Sequence, residues 1–173
     1  MLIKRPFLEQ PSDASIKHIA LTKGQIAIVD ADDYEWLNSF PWCAKWHILA
    51  NQYRAERSIR GESGKQKTIG MHRFLMMAPD GMQVDHINHN CLDNRRSNLR
   101  ICTPSENCYN RKVKSDSKTG IKGVRVDAYG FTSSITVKGK KKYLGYFMTA
   151  EDAHEAYKKA SIDLHGEFSI YRT

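Results

Sequence analysis

Two strand-like runs, "GMQVDHI" over residues 81–87 and "NLRICT" over 98–103, enclose the polar run "NHNCLDNRRS", and "TPSEN" follows at once. The apolar runs read as a strand and a returning strand, and the asparagine-rich interval as a loop. Thr103 is placed to cap a helix, Pro104 suits the first helical position, and Glu106 completes a capping box. The first strand therefore ends in Asp85 and His86, while Asn107 falls one turn into the helix. Two strands and a helix folded together let Asp85, His86 and Asn107 converge on one small cleft.

Those residue types suit phosphodiester hydrolysis. That reaction needs an activated water, neutralisation of charge building on the phosphate, and help for the departing 3′ oxygen. A hard divalent ion such as Mg²⁺ prefers oxygen ligands, keeps several waters, and takes one or two protein groups besides phosphate oxygens. Asp85 and the amide oxygen of Asn107 fit that donor set. His86, titrating near neutrality, is the candidate base for the attacking water, a role worth about 10² to 10⁴ in rate. Asn98 is placed to pin the loop. A blander reading stands beside this one: an Asp–His pair is often a surface hydrogen bond, and Asn88, Asn90 and Asn94 are typical turn formers. Residue chemistry leaves both open.

The stretch "MHRFLM…VDHINHNCLDNRRSNLRICTPSENCYNR", residues 71–111, closely resembles the HNH homing endonucleases of phages and introns, in the variant whose final histidine is an asparagine. The resemblance implies a ββα-metal (His-Me finger) core with His86 as general base and Asp85 and Asn107 as metal ligands. It makes Asn98 the middle asparagine that braces the catalytic loop. His72 takes a supporting or phosphate-contacting place, and Arg73, Arg95 and Arg96 join it as candidate DNA contacts. His89 stands where relatives commonly carry a small residue, and is read as a tolerated loop side chain. The implied cofactor is one divalent cation, Mg²⁺ or Mn²⁺. The zinc-binding cysteine pairs of some relatives are absent, so no zinc is expected.

The rest of the chain supplies context. Residues 16–29, "IKHIALTKGQIAIV", read as a hairpin around Lys23-Gly24, "DADDYEWLNSF" as a short helix, and residues 47–60 and 66–74 as two strands around the turn "GESGK". Residues 1–70 are thus expected to form a small mixed, β-rich scaffold. Trp36, Trp42 and Trp46 lie close to apolar runs and are read as core residues rather than as wedges between bases. Cys43, Cys91, Cys102 and Cys108 lack a CxxC pair, which suggests neither a disulfide framework nor a zinc knuckle. The opening "MLIKRPFLEQ" has no apolar stretch long enough for a signal peptide, and nothing approaches about 18 consecutive apolar residues. A cytoplasmic protein, working on the nucleoid of a bacterial or phage-infected cell, is the expectation.

Net charge is +8. Residues 111–142 hold ten basic side chains against Asp116 and Asp127, so this block accounts for the whole excess. Residues 110–119 read as a flexible basic linker, with 113–119 dividing the nuclease motif at 71–112 from a domain at 120–173. In that domain, "GIKGVRVDAYGFTSSITVKGKKKYLGYF" divides into three strands, and a helix follows from a Thr149/Asp152 capping box with Ala153, Ala156, Tyr157, Ala160 and Leu164 on one face. Alternation points Val124, Val126, Phe131, Ile135 and Val137 at the helix. It leaves Arg125, Asp127, Tyr129, Thr132, Ser134, Thr136, Lys138, Lys141 and Tyr143 on the open face. A basic, aromatic-dotted sheet of this kind suits a DNA groove.

Residues 120–169, through "GIKGVR", "YLGYF" and "LHGEFS", look like the plant ethylene-response-factor (APETALA-two type) DNA-binding domain. The resemblance makes Arg125, Tyr129, Thr136, Lys141 and Tyr143 the DNA-facing positions, with Lys138 beside them. Asp127, Ser134 and Thr136 depart from the charged, base-reading groups of plant members, which implies looser sequence preference. The expectation is therefore an α+β protein in which an HNH core, an N-terminal scaffold and a C-terminal three-stranded antiparallel sheet packed on one helix act together. It would cut or nick double-stranded DNA as a monomer, with a transient dimer as a route to double-strand breaks. The alternative is a DNA-binding regulator with an inactive nuclease fold.

Overall fold

The computed structural model describes residues 6–48, 50–61, 64–113 and 117–172. These form an α+β protein that divides into two compact units, Met1–Ile101 and Cys102–Thr173. Among the described residues no helix is long and apolar enough to cross a membrane, and all four cysteines are free thiols.

The first unit starts with the expected hairpin. Strands β1 (Ile16–Ala20) and β2 (Ile26–Asp30) pair antiparallel with Ile19 opposite Ala27, joined through a 3₁₀ turn in which Lys23 takes a left-handed φ of 59°. Helix α1 (Ala31–Asn38) follows directly. An antiparallel sheet then runs in the order β3 (Cys43–His47), β4 (Gln52–Arg60), β5 (Gln66–Gly70). Strand β3 goes beyond the sequence reading, and "MHRFLM", expected to continue a strand to residue 74, is helix α2 (Met71–Met76). The reason is periodicity: Met71, His72 and Leu75 are the buried positions, a helical rather than alternating spacing. Glu62 and Ser63 of the "GESGK" turn lie outside the described residues.

Ile19, Val29, Leu37, Met71 and Leu75 are essentially fully buried and form the centre of the first core. Beside them Trp36 stacks on Phe74 at 4.8 Å, and the Arg57 guanidinium lies 3.9 Å from the Phe40 ring centroid, a cation–π contact. Of the three tryptophans only Trp42 is a core residue, its indole N–H donating to the Leu37 carbonyl at 2.8 Å; Trp36 and Trp46 are 39% and 45% exposed. Register sorts the three-stranded sheet into an apolar face carrying Ala44 and Ala55 and a polar face carrying Lys45, Arg54, Glu56 and Gly70. Strands β6 (Gln83–His86) and β7 (Leu99–Cys102) pair with each other.

The second unit opens with helix α3 (Pro104–Tyr109), whose capping box is complete: Thr103 Oγ accepts from the Glu106 amide at 3.2 Å, and the Glu106 carboxylate accepts from the Thr103 amide at 2.8 Å. Strands β8 (Val124–Val126), β9 (Phe131–Val137) and β10 (Lys140–Phe147) form the expected antiparallel sheet, with β9 central. Lys138 and Gly139 both have positive φ, 48° and 77°, as a tight two-residue hairpin requires. Helix α4 (Ala150–His165) packs on the sheet, with Thr149 Oγ accepting from the Asp152 amide at 3.1 Å.

Two details of this packing differ from the sequence reading. The buried stripe of α4 is Ala153, Tyr157, Ser161 and His165, four residues apart throughout, and Leu164 is exposed. Val126 is also exposed, because only the first residue of the short β8, Val124, is covered, while Ser133 takes a fully buried place. Gly123 makes the close approach possible: its φ is +80°, and a Cβ there would come within 1.9 Å of the Tyr157 ring.

Candidate active site

Strand β6 carries Asp85 and His86 into the interior, at 8% and 6% exposure. Arg100, on the paired strand β7, holds the Asp85 carboxylate, donating to Oδ2 from Nη2 at 2.7 Å and from Nε at 3.0 Å. Burial lowers the proton affinity of His86, and the Arg54 charge adds to it, against opposing effects from Asn94 and Asp93; its pKa is pushed down to about 4. The imidazole is therefore neutral at pH 7.

The loop between β6 and β7 is held by its own side chains. Asn98 is buried, its amide donating to the Asp93 carbonyl at 2.8 Å and its oxygen accepting from the Asn88 amide at 2.9 Å. The Asp93 carboxylate accepts from Asn88 at 2.8 Å and from Arg95 at 2.8 and 2.6 Å. Asn90 shapes a turn, accepting from the Leu92 amide at 3.1 Å. The loop is also bound to distant segments. Ile28 of β2 donates to the Leu92 carbonyl at 2.9 Å and accepts from the Asn94 amide at 2.7 Å. Asp30 accepts from the Arg96 amide at 2.7 Å, and Asp33 takes the Arg96 guanidinium in two bonds of 2.8 Å. Gln52 of β4 donates to the His89 carbonyl at 2.8 Å and accepts from the Cys91 amide at 3.1 Å.

His72 stands against His86, ring centroids 5.0 Å apart, with Nδ1 buried and without a hydrogen-bond partner. Burial first, then the neighbouring His86 and Arg54, hold its pKa well below the ordinary 6.5. Gly70 makes room for this ring: a Cβ there would lie 2.5 Å from Cε1 of His72. On the same sheet face His47 bonds Glu56 at 2.7 Å.

The residues expected to contact DNA in this unit have internal partners. Arg73 donates to the carbonyls of Met82, Ala78 and Pro79, Arg95 and Arg96 are held by Asp93 and Asp33, and His72 is buried. Asn107 lies on α3 in the second unit, its backbone amide donating to the Thr103 carbonyl at 3.0 Å. That helix is fixed within its unit by Tyr109, whose ring stacks on His165 at 3.7 Å and whose hydroxyl accepts from the Lys138 amide at 2.8 Å. Lys122 Nζ donates to the carbonyls of Tyr109 and Arg111, and its burial pushes its pKa down to about 8. On the open sheet face Arg125 pairs with Thr132, Lys141 with Thr136 and Tyr143 with Ser134; Tyr129 and Tyr143 are 89% and 62% exposed, and Lys138 is exposed.

Residues 77–109 match the sequence profile of the family described as HNH endonuclease. They form an HNH endonuclease domain. Over 154 residues the chain is 29% identical to an uncharacterized HNH endonuclease of Acanthamoeba polyphaga mimivirus, covering 85% of this chain and 74% of that protein. It is also 29% identical over 96 residues to Protein 3.8 of Escherichia phage T7, covering 54% of this chain and 78% of that protein. No solved structure matches it. With this HNH domain the chain is a DNA endonuclease.

HNH nucleases generally depend on a divalent metal. Among the described residues no three His, Cys, Asp or Glu side chains are grouped to hold an ion. In the first unit the HNH domain instead sets the Asp85 carboxylate next to His86 on one strand. That donor set fits a hard cation that draws most of its ligands from water and phosphate, and does not fit a closed structural zinc site. Sequence reading missed Arg100, Arg54, Glu56, His47 and the anchoring acids Asp30 and Asp33. Only Arg100 had a usable signal, since it ends the "SNLR" motif on the strand that returns beside Asp85.

Proposed function

We propose that this HNH endonuclease is of the metal-dependent, homing type, hydrolysing phosphodiester bonds of double-stranded DNA from a ββα-metal core and guided by its C-terminal domain. The observation that carries the reading is His86, a buried imidazole kept neutral on the strand that also presents Asp85. A neutral imidazole accepts a proton without first losing one. The negative charge of an incoming phosphodiester raises its proton affinity as the water is deprotonated. Arg100 keeps the Asp85 carboxylate oriented, and Asn98 braces the loop that follows His86. Asp85, as the resemblance assigns it, would hold Mg²⁺ or Mn²⁺. When bound, the cation supplies Lewis-acid stabilisation of charge on the phosphate.

The open face of the second unit supports the DNA-reading role, since Arg125, Tyr129, Thr136, Lys138, Lys141 and Tyr143 are all exposed. A β-ribbon fits the major groove.

Incubation of the full chain with supercoiled plasmid tests the reading. Nicking or linearisation should require Mg²⁺ or Mn²⁺ and stop with EDTA. His86→Ala should lose about 10² to 10⁴ in rate while still shifting DNA; undiminished cleavage by that variant refutes the assignment. Arg125→Ala and Lys141→Ala should each weaken DNA affinity and reduce the slope of log affinity against log salt by about one.

A further inference from the structure

The polar face of β4 presents Gln52, Arg54 and Glu56 in succession. Its outer two members have defined structural tasks: Gln52 ties down the loop after His86, and Glu56 accepts from His47 at 2.7 Å with Lys45 Nζ at 3.7 Å. Arg54 stands between them, half-buried. Its Nε is enclosed by protein and has no hydrogen-bond partner. The acids of the site, its loop and the same strand face are matched to other cations: Asp85 to Arg100, Asp93 to Arg95, and Glu56 to His47 and Lys45. Among the described residues no carboxylate forms an ion pair with Arg54. Its charge nevertheless reaches the site, since it acts on both His86 and His72.

A guanidinium with an enclosed, unpartnered Nε and no carboxylate paired to it is unfavourable by itself and becomes favourable once an anion arrives. Its planar fork matches phosphate oxygens. We propose that Arg54 is a catalytic residue that binds the scissile phosphodiester, donating to a non-bridging oxygen and neutralising the charge that grows there as water attacks. This rests on the endonuclease reading above and adds the phosphate-binding group that it lacks. The N-terminal sheet then supplies part of the active site as well as support for it.

Single-turnover plasmid cleavage by the full chain with Mg²⁺ or Mn²⁺, at saturating DNA, tests this alongside DNA affinity in EDTA and the urea midpoint. Arg54→Ala should cleave about 10² to 10³ times more slowly, by analogy with loss of one oxyanion-stabilising donor. Affinity should fall less than about tenfold, the urea midpoint should hold or rise, and added guanidinium should restore part of the rate. Arg54→Lys should recover some activity and Arg54→Gln very little. If Arg54→Ala fails to fold, Arg54→Gln decides by the same measures. Cleavage by either neutral variant within about threefold of wild type, or a loss that guanidinium does not relieve and that tracks a lowered urea midpoint, overturns the inference. A wild-type chain that cuts with neither metal overturns the nuclease reading itself, and this inference with it.

Discussion

Acid should destabilise the first unit well above the pH at which carboxylates titrate, and His86 sets the size of the effect. In the folded chain this imidazole takes a proton only near pH 4, whereas in the unfolded chain it does so near 6.5. Between those values the unfolded state binds more protons, so stability falls as the pH falls. The contribution is fully present above about 6.5 and is lost by the time the pH has passed through about 4. A gap of roughly 2.5 units corresponds to about 3 kcal/mol, a large fraction of the ~5–15 kcal/mol that holds a typical domain together. His72 is displaced in the same direction and lies 5.0 Å from His86, so it adds to the slope, and a proton on either ring hinders a proton on the other. Asp93 also loses stabilisation in acid, but only as the pH falls below its ordinary 3.8. In the second unit His165 is also lowered from the ordinary 6.5, by burial first. Urea denaturation at a series of pH values from 8 to 4.5, followed by the tryptophan fluorescence of the first unit, measures the slope. His86→Gln should flatten most of it. A wild-type midpoint that stays level between pH 7 and 5, or an unchanged slope in His86→Gln, refutes the reasoning.

Three further outcomes follow from the geometry. Gly70→Ala places a Cβ 2.5 Å from the buried His72 ring and should cost about 1–3 kcal/mol by urea denaturation, with cleavage falling as the ring pair is displaced. Asn98→Ala leaves the Asn88 amide and the Asp93 carbonyl without their buried partner; a loss of about 1–3 kcal/mol is expected, together with faster amide hydrogen exchange across residues 87–98. Tyr109→Phe should cost about 1 kcal/mol through the lost bond to the Lys138 amide, and Tyr109→Leu about 0.5–1.5 kcal/mol more through the lost stack on His165. Thermal unfolding of the two variants side by side separates these terms.

What the sequence alone determined was local. The Thr103–Glu106 capping box, the strand ending in Asp85 and His86, the hairpin turned at Lys23-Gly24 and the alternation in β9 all depend on residues a few positions apart, where capping, positive φ and pleat act directly. Where two local patterns competed, the reading slipped: the apolar-rich "MHRFLM" suits a strand or a helix turn, and the buried stripe of α4 runs through Ser161 and His165 because they bond each other at 3.2 Å and His165 reaches the Thr136 carbonyl at 3.0 Å. Tertiary structure decided the surroundings of the chemical groups. Arg96 meets Asp33 across 63 positions of sequence, Gln52 meets the loop across 37 and 39, and His72 reaches His86 only because α2 follows a glycine that leaves space for its ring. Those pairings follow from which faces must be buried together, a requirement of the whole core that no short window of sequence contains. The acidity of His86 and the unpartnered Nε of Arg54 are consequences of that burial.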